Sequence, residues 1–175
     1  ALCVSYSGQC YLSAALSGRS ANRGECAQYC RLPYTMVDAT GTEIVTHKHL
    51  LSLKDMNRSD QLEALLDAGV SSLKIEGRLK DVGYVKNITA YYRKKLDAVL
   101  SRRPEYRRAS AGRSTYTFEP VAEKSFNRGF TPFLLEGRTA DITAFNTPKS
   151  LGEPVGTVKE IKGCLLYTSP SPRDR

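Results

Sequence analysis

Ser72-Leu73-Lys74-Ile75-Glu76-Gly77-Arg78-Leu79-Lys80-Asp81-Val82 is the stretch on which the fold turns. Ser72–Glu76 reads as a strand, and a longer helix starts at or near Asp81. Val82, Val85, Ile88, Tyr92, Leu96 and Val99 recur three or four apart, which is the spacing of one helix face. Pro104 lies beyond the end of that helix. Working upstream, Asp60 followed by Glu63 resembles a capping box. Leu62, Leu65 and Leu66 supply an apolar face, and Gly69 can close this shorter helix. His49-Leu50-Leu51-Ser52-Leu53 is a short apolar run that suits a buried strand.

The order is therefore strand, helix, strand, helix, the pattern of a parallel α/β sheet or barrel. Two such units cannot close an eight-stranded (β/α) barrel, which needs about 250 residues. The expectation is an α/β fold: residues 1–103 hold the C-terminal part of a truncated TIM-like barrel with a four-cysteine segment at its start. Within this region Tyr34–Val37 and Glu43–Thr46 read as two strands joined by the turn Asp38-Ala39-Thr40-Gly41. Arg107–Thr117 is basic and irregular, and residues 118–162 alternate short β-prone runs with Gly and Pro turns. Residues 104–162 are thus expected to form a smaller β-rich region.

Both ends read as unusual. The chain of 175 residues begins Ala-Leu-Cys, which suggests a cut inside a larger protein. Residues 163–175 resemble translated adapter sequence, or else a disordered Ser/Pro tail, and Cys164 within them carries little weight. No apolar run approaches the roughly 18 residues of a membrane span, and no signal peptide is visible. A cytoplasmic protein without membrane contact is expected, and nothing points to a protein partner.

Net charge is +8. Between Lys80 and Arg108 nine basic residues face three acidic ones. Lys94, Lys95, Arg102, Arg103, Arg107 and Arg108 are candidate RNA-binding residues, and Tyr91, Tyr92 and Tyr106 interleave with them as candidate base-stacking rings. The plainer reading is a solvated helix face, with Tyr92 in the core by its helical phase.

Cys3, Cys10, Cys26 and Cys30 fall in the first thirty residues with the spacing C-x6-C-x15-C-x3-C. Disulfides belong to secreted domains. Structural zinc prefers two tight knuckles, and only Cys26/Cys30 is tight. Iron–sulfur clusters accept four thiolates at looser spacing, and Gly8, Gly18 and Gly24 allow backbone amides to approach sulfur. The residues alone leave zinc and iron–sulfur open.

Ala1–Ser13, with Cys3, Gly8 and Cys10 in register, resembles the signature of the U32 (collagenase-like) peptidase family. The likeness continues through Asn22–Tyr34, Leu50–Asp55, Leu73–Lys80, Ser125–Phe130 and Pro154-Val155-Gly156. The resemblance implies a [4Fe–4S] cluster on Cys3, Cys10, Cys26 and Cys30. It also implies hydroxylation of RNA, best matched by the branch that acts on a cytidine of 23S ribosomal RNA, with prephenate as a co-substrate in a sister branch. Two alternatives stand beside this: a peptidase, or a zinc-stabilised RNA-binding module. No G-x-S-x-G or H-E-x-x-H motif is present for the former.

Glu76-Gly77-Arg78 follows an expected barrel strand, where barrel enzymes place their chemistry. Glu76 is a candidate acid or base, with Arg78 and Lys80 as holders of phosphate or carboxylate. A salt-bridged strand end would look the same. Glu136–Arg138 repeats the triplet, as turn chemistry does by coincidence. His47 and His49 share one strand face, which suits a metal pair as well as ordinary surface or core histidines. As a fragment, the chain is expected to be inactive alone.

Overall fold

The computed structural model describes residues 2–6, 9–137, 139–153 and 156–162, and the backbone of 165–169. In chain order its elements are helix α1 (Leu12–Ser17), strands β1 (Tyr34–Val37), β2 (Glu43–Lys48) and β3 (Asp55–Met56), and helices α2 (Leu62–Asp67) and α3 (Val82–Arg102). Strands β4 (Phe130–Thr131), β5 (Thr157–Lys162) and β6 (Leu165–Ser169) follow. The strands form three two-stranded sheets: β1–β2 and β5–β6 antiparallel, β3–β4 parallel.

The β1–β2 hairpin forms where the turn residues predict it. The Asp38 carboxylate accepts from the Thr40 and Thr42 amides at 2.8 and 2.9 Å and from the Thr40 hydroxyl at 2.6 Å. Gly41 takes φ +88°, a conformation that a β-carbon would strain.

The centre of the chain is a seam where three distant segments meet. The Asp55 amide donates to the Gly129 carbonyl at 2.9 Å, the Lys54 amide to the Ile142 carbonyl at 2.9 Å, and the Ala144 amide to the Ser52 carbonyl at 2.6 Å. Leu53 and Ala144 are buried beside this seam, and Leu62, Ile88, Ala90, Val99 and Ala122 complete the core among the described residues. Helix α3 docks through Asn87, whose amide donates to the Val121 carbonyl at 2.6 Å while its oxygen accepts from the Val121 amide at 3.0 Å. Its first turn is capped by Asp81, which accepts from the Tyr84 amide at 2.7 Å.

Several expectations are corrected. Ser72–Glu76 is not a strand. Its apolar side chains Leu73 and Ile75 are exposed, and no described strand pairs with it; the Glu76 carbonyl accepts from the Tyr84 hydroxyl at 3.2 Å instead. His49–Leu53 is buried at Ser52 and Leu53, as an inward run should be, but its backbone turns, and its β-pairing among the described residues is the isolated bridge from Leu53 to Thr143. The Asp60/Glu63 capping box does not form: a 3-10 turn, Ser59–Gln61, precedes α2, and Asn57 accepts from the Ser59 amide at 3.0 Å instead. Asp60 pairs with Lys95 at 2.9 Å, and Glu63 pairs with Arg102 and Arg103 at 2.5 and 2.6 Å. Gly69 does follow α2, at φ +86°.

Helix α3 runs where its spacing predicts, yet Val82 and Val85 stay exposed while Ile88 and Val99 are buried. In residues 118–162 regular strand is limited, among the described residues, to β4 and β5. The tail set aside by the sequence reading supplies β6, paired with β5 from Thr157↔Ser169 to Lys162↔Leu165. Gly8, Arg138, Pro154, Val155 and Cys164 lie outside the described residues. Among the described residues no helix is long and apolar enough to cross a membrane.

Candidate metal centre

The cysteine segment is held by a few polar contacts rather than by regular structure. Helix α1 ends at Gly18, which takes φ +69° and donates to the Ala14 carbonyl. The α1 residue Ser13 is buried, and its hydroxyl does two things. It accepts from the Ala27 amide at 3.0 Å and reaches the Cys26 sulfur at 3.9 Å. Cys26 also accepts from the Gln28 amide at 3.4 Å, a geometry reached because Gln28 adopts φ +57°.

Cys30 sits on the 3-10 turn Tyr29–Arg31. Burial is the main reason its thiol is pushed up; Arg31 opposes this, and Cys26, Cys3 and Cys10 add to the rise. All four cysteines are free, so no disulfide links them. Among the described residues no three His, Cys, Asp or Glu side chains converge closely enough to hold a single ion.

Arg31 ties this segment to the central seam. Its Nη1 donates to the Ser52 hydroxyl at 2.9 Å and the Leu53 carbonyl at 2.8 Å, and its Nη2 donates to the Leu2 carbonyl at 3.3 Å. Burial and then Arg128 pull its guanidinium below the usual range, while Cys30, Asp55 and Cys3 pull it back. Behind it, Arg128 and Asp55 form an ion pair at 2.5 Å. His49 is occupied structurally, its Nδ1 lying 2.8 Å from the Arg31 carbonyl, and His47 is exposed with φ +51°.

A cavity of about 690 Å³ opens beside Cys3. Asp55, Arg58, Glu76, Tyr84 and Tyr92 line it together with apolar side chains. Of the candidates Glu76, Arg78 and Lys80, only Glu76 reaches it. The Glu76 carboxyl is held below its ordinary value, first by the Arg78 amide that donates to it at 3.0 Å. It is thus a carboxylate at neutral pH, and one whose affinity for a proton is reduced. Lys80 instead rests its ammonium 3.1 Å from the Phe126 ring centre; burial and then Arg128 lower its pKa. Tyr92 is spent on the fold, with its hydroxyl donating to Asn57 and accepting from the Arg58 amide.

The basic run is largely paired. Lys94 reaches Glu119 at 2.6 Å, Lys95 reaches Asp60 at 2.9 Å, and Arg108 reaches Asp97 at 2.5 Å. Arg103 contacts Glu63, Asp67 and Glu105 at 2.6 Å each. Arg107 alone of the six candidates has no ion pair among the described residues. Sequence reasoning gave no role to Arg31, Asp55 or Arg128. Their signal was present, since each lies in a stretch that matched the family pattern, but the contacts between them span up to 73 residues of sequence.

The chain is 55% identical to the 23S rRNA 5-hydroxycytidine C2501 synthase of Escherichia coli over 92% of its own length and 25% of that protein's. It is 36% identical to the tRNA hydroxylation protein P1 of Bacillus subtilis over 56% of its length and 25% of that protein's. It is 38% identical to a collagenase of Porphyromonas gingivalis over 74% of its length and 34% of that protein's. The chain thus spans about a quarter to a third of these relatives. No solved structure matches it significantly. The model of peptidase family U32 matches residues 1–144, and the chain belongs to that family.

Proposed function

We propose that this chain is the cysteine-bearing part of a cytoplasmic RNA hydroxylase that acts on a cytidine of 23S ribosomal RNA. The observation that carries this reading is the 55% identity, over 92% of the chain, to a protein named for that reaction. A [4Fe–4S] cluster on Cys3, Cys10, Cys26 and Cys30 is part of the proposal. The four thiols are free, and a backbone N–H and a hydroxyl are directed at Cys26, which supports them as candidate ligands, although no three of them converge around one point among the described residues. When bound, such a cluster supplies one-electron transfer. The chain's own residues would orient the substrate in the cavity beside Cys3, where the Glu76 carboxylate can accept a proton and Arg58 adds positive charge. Prephenate is the proposed co-substrate.

The same reading extends to the fold: a TIM-like barrel of which this chain is one part. Leu73, Ile75, Leu79, Val82 and Val85 are exposed apolar side chains around the expected strand and the start of α3, as they would be if further barrel strands covered them.

Similarity to a collagenase keeps peptide cleavage as the second reading. Both are tested by the full-length protein purified without oxygen. Iron and sulfide in equal amounts, lost in Cys3→Ala and Cys26→Ala, together with 5-hydroxycytidine in 23S ribosomal RNA that those variants fail to restore in a deletion strain, are expected. Zinc without sulfide would sink the cluster. Cleavage of gelatin with no change in the RNA would bring the peptidase forward.

A further inference from the structure

Where α3 ends, a cleft of about 610 Å³ is lined by Asp97, Ser101, Tyr106, Arg107, Arg108 and Arg113. Three guanidinium groups there face a single carboxylate. That carboxylate is already used. Burial works against the Asp97 charge, but hydrogen bonds from Arg108 and Arg93 overcome it and hold Asp97 below its ordinary value. Arg108 is equally fixed: Nε and Nη2 contact Asp97 at 3.1 and 2.5 Å, and Nη1 donates to the Gly112 carbonyl at 2.8 Å. Arg107 and Arg113 have neither an ion pair nor a side-chain hydrogen bond among the described residues, and both are exposed.

A helix C-terminus repels anions through its free carbonyls. Here that effect is reduced, because Ser101 Oγ and Arg102 Nη1 both donate to the Ala98 carbonyl, at 2.9 and 3.2 Å. The cleft wall also carries Ser114, whose hydroxyl suits a phosphate oxygen or a sugar hydroxyl, whereas the Ser101 and Tyr106 hydroxyls already donate to the Ala98 carbonyl and to Asp67.

We infer that this cleft, through Arg107 and Arg113 with Arg108 as its fixed wall, holds the phosphate backbone of the RNA strand. This rests on the RNA reading proposed above and narrows it. Lys94, Lys95, Arg102 and Arg103 lie on the same helix or just past its end, but each would have to give up a carboxylate to take a phosphate. Arg107 and Arg113 gain a partner without giving one up. Counterion release then gives them the larger share of the salt-dependent affinity.

The test uses full-length protein and a fluorescein-labelled single-stranded RNA copied from the ribosomal segment that carries the modified cytidine. Binding is measured across a salt series. Arg107→Gln/Arg113→Gln should weaken binding about tenfold and flatten the salt dependence by about 0.7 for each phosphate no longer neutralised, whereas Lys94→Gln/Lys95→Gln should leave the slope unchanged. Arg107→Lys/Arg113→Lys should keep the slope and show that charge is the cause. Thermal melting of the Gln variant should match that of the unsubstituted protein, since neither side chain supports the fold. An equal or larger effect of the Lys94/Lys95 pair would overturn the assignment while leaving RNA binding intact. Complete displacement of the RNA by polyglutamate at matched charge concentration would overturn it in favour of an acidic protein partner. No RNA affinity in the unsubstituted protein would remove the RNA reading itself.

Discussion

Arg128 grips Asp55 with two prongs and a backbone amide: Nη2 to Oδ1 at 2.5 Å, Nε to Oδ2 at 3.2 Å, and the Arg128 N–H to Oδ2 at 3.0 Å. The two side chains are 7% and 18% exposed, so the pair is almost withdrawn from water. It locks β3 against β4, the parallel pairing at the centre of the seam. Breaking a buried pair from one side strands a charge, whereas replacing both partners need not. Arg128→Met should therefore destabilise the protein by about 3 kcal/mol. Asp55→Asn/Arg128→Met should recover part of that loss, because the Asn oxygen still accepts the residue-128 amide. Thermal melting and limited proteolysis of the full-length protein check this. A double variant weaker than the single would mean that Asp55 has a partner besides Arg128.

The α2–α3 contact should be sensitive to acid. Glu63 is held below its ordinary 4.5, first by Arg102 and then by Arg103. Asp67 is held below its ordinary 3.8 by Arg103 and Tyr106. A lowered folded-state value means stabilisation that is complete above the unfolded-state value and lost as pH falls through the folded-state one. Amide exchange in α2 should therefore change little from neutral pH down to about 5 and rise below about 4, beyond the intrinsic pH trend. These carboxylates are solvent-exposed, so high salt should produce part of the same loosening at neutral pH. In Arg103→Gln the acid step should shrink, and exchange should already be raised at neutral pH.

What the sequence revealed and what it hid follow from the range of the interactions. The β1–β2 turn is written in Asp38, Thr40 and Gly41, within four residues of one another, and it forms as read. Helix α3 is local too, and its start at or near Asp81 was legible. The capping box was not, because Asp60 and Glu63 find stronger partners in Lys95, Arg102 and Arg103 across a tertiary contact. The pairing within the basic run was hidden for the same reason, since a composition count cannot show which cations already face carboxylates. The spacing of the cysteines marks them as candidate ligands. Arg31, which joins the cysteine segment to Ser52 and Leu53, is half-buried by contacts 21 and 22 residues away that no local pattern shows.

Ser72–Glu76 carries its own prediction. Its apolar side chains and its position before α3 suit a barrel strand, and it lacks only neighbours here. In full-length protein the amides of residues 72–76 should exchange slowly, with protection comparable to that of α3. In the isolated 175-residue chain they should exchange as freely as a loop. Fast exchange in both would argue against the barrel.

Ser13 should decide how firmly the cysteine segment is held. Its hydroxyl is 2% exposed at the residue level and connects the Ala27 amide to the Cys26 sulfur. Ser13→Ala leaves the Ala27 N–H without that acceptor, a cost of about 1–3 kcal/mol that falls on the loop carrying Cys26. The variant should stay folded, because α1 is a short helix at the edge of the chain. It should, however, retain less iron and sulfide through gel filtration than the unsubstituted protein. It should also show faster alkylation of Cys26 once metal is removed. Ser20→Ala, whose hydroxyl makes no side-chain hydrogen bond among the described residues, is the matched control and should change neither readout. If Ser13→Ala keeps its full metal content and its Cys26 reacts no faster, the loop is held by the Gln28 amide and by the cysteine ligation itself, and the serine is only packing.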